Sequence, residues 1–119
     1  MTKCFVCKSN LQIKKLKCNY CNTIFEGDFS FPLLAKLSLN SQKLALELIL
    51  AGGNLKELAE KLGITYPTLK KRIHDLQSEL IMLIKERDDE ITYIKNKIKN
   101  NEISKEEGEK IINELMGNF

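Results

Sequence analysis

Four cysteines stand in two pairs, Cys4-x2-Cys7 and Cys18-x2-Cys21, within the first 21 residues. A CxxC pair bends the backbone so that two thiolates aim at one ion, and two such pairs supply the tetrahedral four-sulfur set that zinc prefers. Four protein thiolates leave no position for a reactive water, so the expected role of Zn2+ here is structural. Iron suits a four-thiolate site as well, and the sequence leaves zinc and iron both open. A redox pair is disfavoured, because such motifs occur singly at a strand-to-helix junction. Disulfides are disfavoured too: the opening MTKCFVCKSN has no apolar export segment, and the expected compartment is cytoplasmic. Many knuckles of this kind place Gly after the second Cys, where the chain turns left-handed. Lys8 and Asn22 stand there instead, and Lys adopts that conformation less readily than Asn.

A second group of chemically suggestive residues lies in the stretch Leu55–Leu76, LKELAEKLGITYPTLKKRIHDL. Thr65, Tyr66, Thr68, Lys70, Lys71, Arg72 and His74 bring hydroxyls, an aromatic ring and cations to the start of one helix. That set matches what a helix entering the major groove of DNA presents: cations for phosphates, with Tyr66 and Thr68 near base edges. Clamping a phosphate is the favoured role for Arg72, whose stem could otherwise cover the helix pair. His74, the single histidine, has no Ser/His/Asp set, phosphate loop or paired acids around it, and no enzyme is expected.

These residues need elements to hold them. Asn54 caps a helix from about Leu55 to Leu62, and Gly63 ends it in the left-handed conformation. Thr65 caps a second helix, with Pro67 in its first turn, where a missing N–H costs nothing. Leu58, Ala59 and Leu62 form one apolar face, Leu69, Ile73 and Leu76 another, and Ile64 bridges the turn. A supporting helix, capped by Ser38 or Asn40, runs to about Ala51 with Leu44, Leu48 and Ile49 inward and stops at Gly52-Gly53. In front, Leu11–Lys14 alternates as a strand does, and Thr23–Phe31 supplies further strands; with the cysteines they make a zinc ribbon. Pro32 closes that region, Leu33–Leu37 forms a short helical turn, and Phe29, Phe31, Leu33 and Leu34 are expected to form a core between the modules.

Nothing breaks the second helix after Leu76. Its apolar residues continue through Leu80, Leu83, Ile84, Ile91, Ile94 and Ile98 toward Lys99, although Asp88-Asp89-Glu90 could start a separate helix. A narrow stripe on so long a helix seeks another helix, from the same chain or from a second copy. After a turn at Asn100-Asn101, Ser104-x-x-Glu107 is a capping box for a last helix to about Met116. Its Ile111, Ile112 and Leu115 could fold back on Ile91, Ile94 and Ile98.

The expected fold is therefore mainly α: a small N-terminal β zinc ribbon (1–31), a helix-turn-helix core with a long second helix (32–80) and a C-terminal helical hairpin for oligomerisation (81–119). The chain is 43% hydrophobic and 29% charged, with no apolar run able to span a bilayer. Its net charge of +3 divides as +3 over 1–31, +2 over 32–82 and −2 beyond. A basic front and an acidic tail fit nucleic-acid contact by the former and protein contact by the latter.

The run Leu58-Ala59-Glu60-Lys61-Leu62-Gly63-Ile64-Thr65, with Thr68-Leu69-Lys70-Lys71-Arg72-Ile73 after it, resembles the helix-turn-helix of sigma factor region four. From Cys4 to about Leu80 the chain resembles an uncharacterised bacterial family in which a zinc ribbon precedes such a helix-turn-helix. The doubled CxxC, Phe31-Pro32-Leu33, Gly52-Gly53-Asn54-Leu55-Lys56-Glu57 and Gly63-Ile64-Thr65-Tyr66-Pro67-Thr68 carry this likeness. It implies a transcriptional regulator and brings no established target. The stretch Ile94–Leu115 is similar to C-terminal helical hairpins appended to several bacterial regulators.

Two functions follow as expectations. One is a DNA-binding transcriptional regulator with structural zinc, reading double-stranded DNA with a recognition helix near Tyr66–Leu76 and dimerising by coiled-coil packing of its C-terminal helices. The other is an adaptor that binds RNA polymerase, a sigma factor or another regulator through the ribbon and the C-terminal helices.

Overall fold

The computed structural model describes residues 1–116. Its described elements are strands β1 (Ile13–Lys17) and β2 (Ile24–Phe29), a 3-10 turn (Leu33–Lys36), and helices α1 (Leu39–Leu50), α2 (Leu55–Leu62), α3 (Tyr66–Lys99) and α4 (Lys105–Leu115). The fold is mainly α with a small N-terminal β ribbon, as the sequence implies. The chain forms two compact units: Met1–Pro32 together with the segment from Glu86 onward, and Leu33–Lys85.

In the first unit β1 and β2 pair antiparallel, with Leu16 opposite Phe25 and Lys15 opposite Glu26. The first strand begins two residues later than the alternation at Leu11 suggests, because Leu11 is drawn into the preceding turn: its N–H bonds the Thr2 carbonyl at 2.8 Å. One extra residue on β2 between Glu26 and Phe29 makes a bulge, and Lys14 pairs with Asp28 beside it. α3 runs unbroken through Asp88-Asp89-Glu90. It ends where Asn101 turns left-handed (φ 59°), its N–H on the Ile98 carbonyl and that of Glu102 on the Lys97 carbonyl. Ser104 caps α4, accepting from the Glu107 N–H. α4 comes so close to Ile98 that a Cβ on Gly108 would lie 2.2 Å from the Ile98 Cδ1. Ile91 and Ile94 are buried, Ile112 and Leu115 are half-buried, and Ile111 is more exposed than the expected fold-back implies.

In the second unit the core is Leu58, Ala59 and Leu69, with Leu44, Leu48, Ala51, Leu55, Leu62, Ile64 and Ile73 packed around them. Leu58 and Leu69 are fully buried, which fixes the angle between α2 and α3. One expected core residue is corrected: Ile49 is 72% exposed. α1 is apolar on both sides, and the core takes the side bearing Leu44, Leu48 and Ala51. Leu34, assigned to a core between modules, is 57% exposed, whereas Leu37 is buried.

Polar contacts lock the three helices. The Glu79 carboxylate accepts hydrogen bonds from the Ser38 N–H, the Ser38 hydroxyl and the Ser41 hydroxyl, so α3 caps the N-terminus of α1. The Gln42 amide donates to the carbonyls of Ala35 (3.1 Å) and Leu37 (2.9 Å) and holds the 3-10 turn on α1. Lys61 Nζ lies 2.7 Å from Glu47 Oε2 and links α2 to α1; the contact is an ion pair without hydrogen-bond geometry.

Candidate nucleic-acid interface and thiolate site

The turn between α2 and α3 is built as a pair of complementary caps. Gly63 (φ 66°) sends its N–H to the Glu60 carbonyl while the Ile64 N–H reaches the Ala59 carbonyl at 3.1 Å, ending α2 and dropping Ile64 onto the core. Thr65 then opens α3. Its hydroxyl receives the Thr68 N–H at 3.4 Å and lies 2.8 Å from the Thr68 hydroxyl, so these two hydroxyls are engaged with each other. The buried Leu69 turns the first turns of α3 so that Tyr66, Lys70, Lys71 and His74 remain exposed. Lys70 Nζ stands 5.5 Å from the centre of the Tyr66 ring, a cation over a π face. Arg72 is exposed but lies apart from Lys70 and Lys71: with Asn40, Lys43, Glu47 and Asp75 it lines an open cleft of about 550 Å³ along α1.

The two CxxC turns are near copies. In the first, the Cys4 N–H bonds the Ser9 carbonyl at 2.8 Å and the Lys8 N–H the Cys4 carbonyl at 3.0 Å; in the second, Cys18 with Thr23 and Asn22 with Cys18 repeat both distances. Lys8 (φ 63°) and Asn22 (φ 62°) both take the left-handed conformation that the missing glycines would have filled. Hydrogen bonds at sulfur favour the thiolate. The Ser9 hydroxyl, its N–H and then the Cys4 thiol hold Cys7 below its usual value; the Thr23 hydroxyl, 3.0 Å from Cys21 Sγ, its N–H and then the Cys18 thiol do the same for Cys21. The Val6 N–H points at Cys4 Sγ at 3.3 Å.

This donor set fits zinc: four sulfurs, two of them biased toward thiolate, on matched turns. The turns form as two separate pairs. Among the described residues no three Cys, His, Asp or Glu side chains are grouped closely enough to hold an ion. The tips between the cysteines are apolar and open: Phe5, Val6 and Tyr20 are each at least 85% exposed.

Two family models match the chain. Residues 4–35 match the DUF2089 zinc ribbon, and residues 37–82 match the domain of unknown function (DUF2089)-HTH. The chain belongs to the DUF2089 family. Both cysteine pairs fall within the ribbon match, consistent with zinc binding by this DUF2089 chain. Pairing a ribbon with a helix-turn-helix suggests a nucleic-acid-binding, non-enzymatic regulator, and the helix-turn-helix suggests DNA. Comparison with curated proteins and with solved structures returned no match. Among the described residues no helix is long and apolar enough to cross a membrane.

Glu79, Ser41 and Lys61, which set the supporting geometry, escaped the sequence reading. Each is a polar residue on a helix surface, and its partner lies on a different helix. The fourfold spacing Asp75-x3-Glu79 beside Arg72 was the available signal that one flank of α3 faces something polar.

Proposed function

We propose that this DUF2089 chain is a DNA-binding transcriptional regulator, not an enzyme, whose α3 enters the major groove with its first turns. The observation that carries the reading is the exposed set Tyr66, Lys70, Lys71 and His74 at the start of a helix whose opposite side is anchored by fully buried Leu58 and Leu69. Lys70 and Lys71 meet phosphates, with Arg72 and His74 at the edge of the contact. Tyr66 and Thr68 stand nearest the bases, and Thr65 fixes the start of the helix.

Cys4, Cys7, Cys18 and Cys21 hold structural Zn2+, which supplies the fold energy that a segment too short for an apolar core cannot. Reduced thiols of this kind suit the cytoplasm. The working divisions are the ribbon (1–31), the helix-turn-helix domain (32–80) and the C-terminal hairpin (81–119), and the functional form is a homodimer on double-stranded DNA.

Selection of bound sequences from random duplexes by the zinc-loaded chain tests the reading. Enrichment of a short motif is expected, with Tyr66→Ala relaxing preference at one or two positions. Recovery of unbiased sequence at every round would reject base readout by α3.

A second reading, an adaptor for RNA polymerase, a sigma factor or another regulator, is supported by the open apolar tips Phe5, Val6 and Tyr20. Capture of such a partner that survives Lys70→Ala with Lys71→Ala and is lost with Phe5→Ser and Tyr20→Ser would favour it.

A further inference from the structure

The residues that open α3 spend most of their hydrogen-bonding groups on one another. The Thr65 hydroxyl accepts the Thr68 N–H at 3.4 Å and lies 2.8 Å from the Thr68 hydroxyl. Pro67 has no N–H to give, so of the N–H groups in the first turn only that of Tyr66 is left over. Lys70 Nζ stands 5.5 Å from the centre of the Tyr66 ring and holds that ring beside the helix. Thr65, Tyr66, Pro67 and Thr68 are nonetheless all exposed. What they turn outward is therefore largely carbon: the Pro67 ring, the Tyr66 ring and, because its hydroxyl is turned back onto Thr65, the γ-methyl of Thr68. A helix start that gripped a phosphate would keep its N–H groups for that anion. This one is built for a contact of another kind.

The major groove offers one match. Base edges there present hydrogen-bond donors and acceptors, and the one substantial apolar group among them is the C5-methyl of thymine. We propose that the Thr68 methyl reads the thymine methyl, so that the chain prefers a T·A pair under the start of α3. The proposal deepens the DNA-binding reading and rests on it. Lys70 and Lys71, in the next turn, supply the phosphate contacts that set register and carry no sequence information. The contact between Thr65 and Thr68 adds to selectivity in a second way. A loose threonine hydroxyl donates or accepts as the base requires and so suits several bases, whereas a tethered one fixes the rotamer and presents the methyl in a single orientation.

The test uses the full zinc-loaded chain and the duplex it enriches from random sequence, remade with deoxyuridine for thymine at one T·A pair at a time. Uracil lacks the methyl and keeps every hydrogen-bonding edge. At one or two pairs, wild type is expected to lose affinity about fourfold, the worth of one buried methyl group. Thr68→Ser keeps the hydroxyl and drops the methyl; it is expected to bind both duplexes alike, as weakly as wild type binds the uracil one. Thr68→Val keeps a methyl and drops the hydroxyl, and should still discriminate. Cytosine at the same pair is expected to bind better once 5-methylated, which assigns the contact to the methyl and not to thymine's O4. Indifference of wild type to every exchange overturns the proposal. So does an enriched site without a T·A pair, or a thymine preference that Thr68→Ser leaves intact or Thr68→Val abolishes. Failure of the underlying reading looks different: neither duplex is then bound, even at low salt.

Discussion

Single residues decide whether the start of α3 is held. Leu58 is fully buried at the contact of α2 with α3, so Leu58→Ala removes apolar contact and leaves a cavity. The expected cost is about 2–5 kcal/mol, read by urea denaturation, against no more than about 0.5 kcal/mol for a change at exposed Lys71. Lys8 holds a left-handed conformation that costs a side chain about 1–2 kcal/mol. Lys8→Gly is therefore expected to raise the melting temperature of the zinc-loaded chain, whereas Asn22→Gly should change it less. The sequence made these positions legible because the motifs are local. Asn54, Gly63, Thr65 and Ser104 act on groups within five residues of themselves, and each does what its type implies. The strain at Lys8 was legible for the same reason: the turn is fixed by the spacing of Cys4 and Cys7.

Elements meet through partners that no local pattern reveals. Glu79 could be placed on α3 from the sequence, but not against Ser38 and Ser41, some forty residues earlier. Partial burial pushes its carboxyl up, yet the hydrogen bonds from the Ser41 hydroxyl and from the Ser38 N–H and hydroxyl outweigh it, and the group sits below its usual value. A carboxyl depressed in the fold stabilises fully above its unfolded value, about 4.3, and loses that contribution as pH falls through the lower folded value. Wild type is expected to melt above Glu79→Gln at neutral pH, and the gap to shrink on acidification below about pH 4.3. Thermal melts across that range check the sign, and a gap that widened in acid would contradict it. Ile49 was misplaced for a related reason: a helix apolar on both sides gives periodicity no preferred face. The start of β1 was misplaced because Leu11, apolar and alternating, is spent on the preceding turn.

At the scale of the whole chain, α3 is a single helix from Tyr66 to Lys99, unbroken at Asp88-Asp89-Glu90. The long helix and the last turn were legible because no breaker falls between Pro67 and Asn100. How the apolar surface is shared out was not, since Ile98 and Gly108 reveal their closeness only once folded. Metal dependence belongs to this scale. Removing zinc with a strong chelator is expected to unfold the ribbon while the core of Leu33–Lys85, built on Leu58 and Leu69, keeps its helices. Amide exchange should show protection lost at residues 4–31 and retained in α1 and α2.

The central claim is that the start of α3 is a DNA-binding surface, and its most direct measurement is the salt dependence of binding to duplex DNA by the zinc-loaded chain. Affinity should fall steeply between about 50 and about 200 mM salt, and Lys70→Ala with Lys71→Ala should make the slope of log affinity against log salt shallower by roughly 2. Absence of duplex binding at low salt, or a slope the double substitution leaves unchanged, would contradict it.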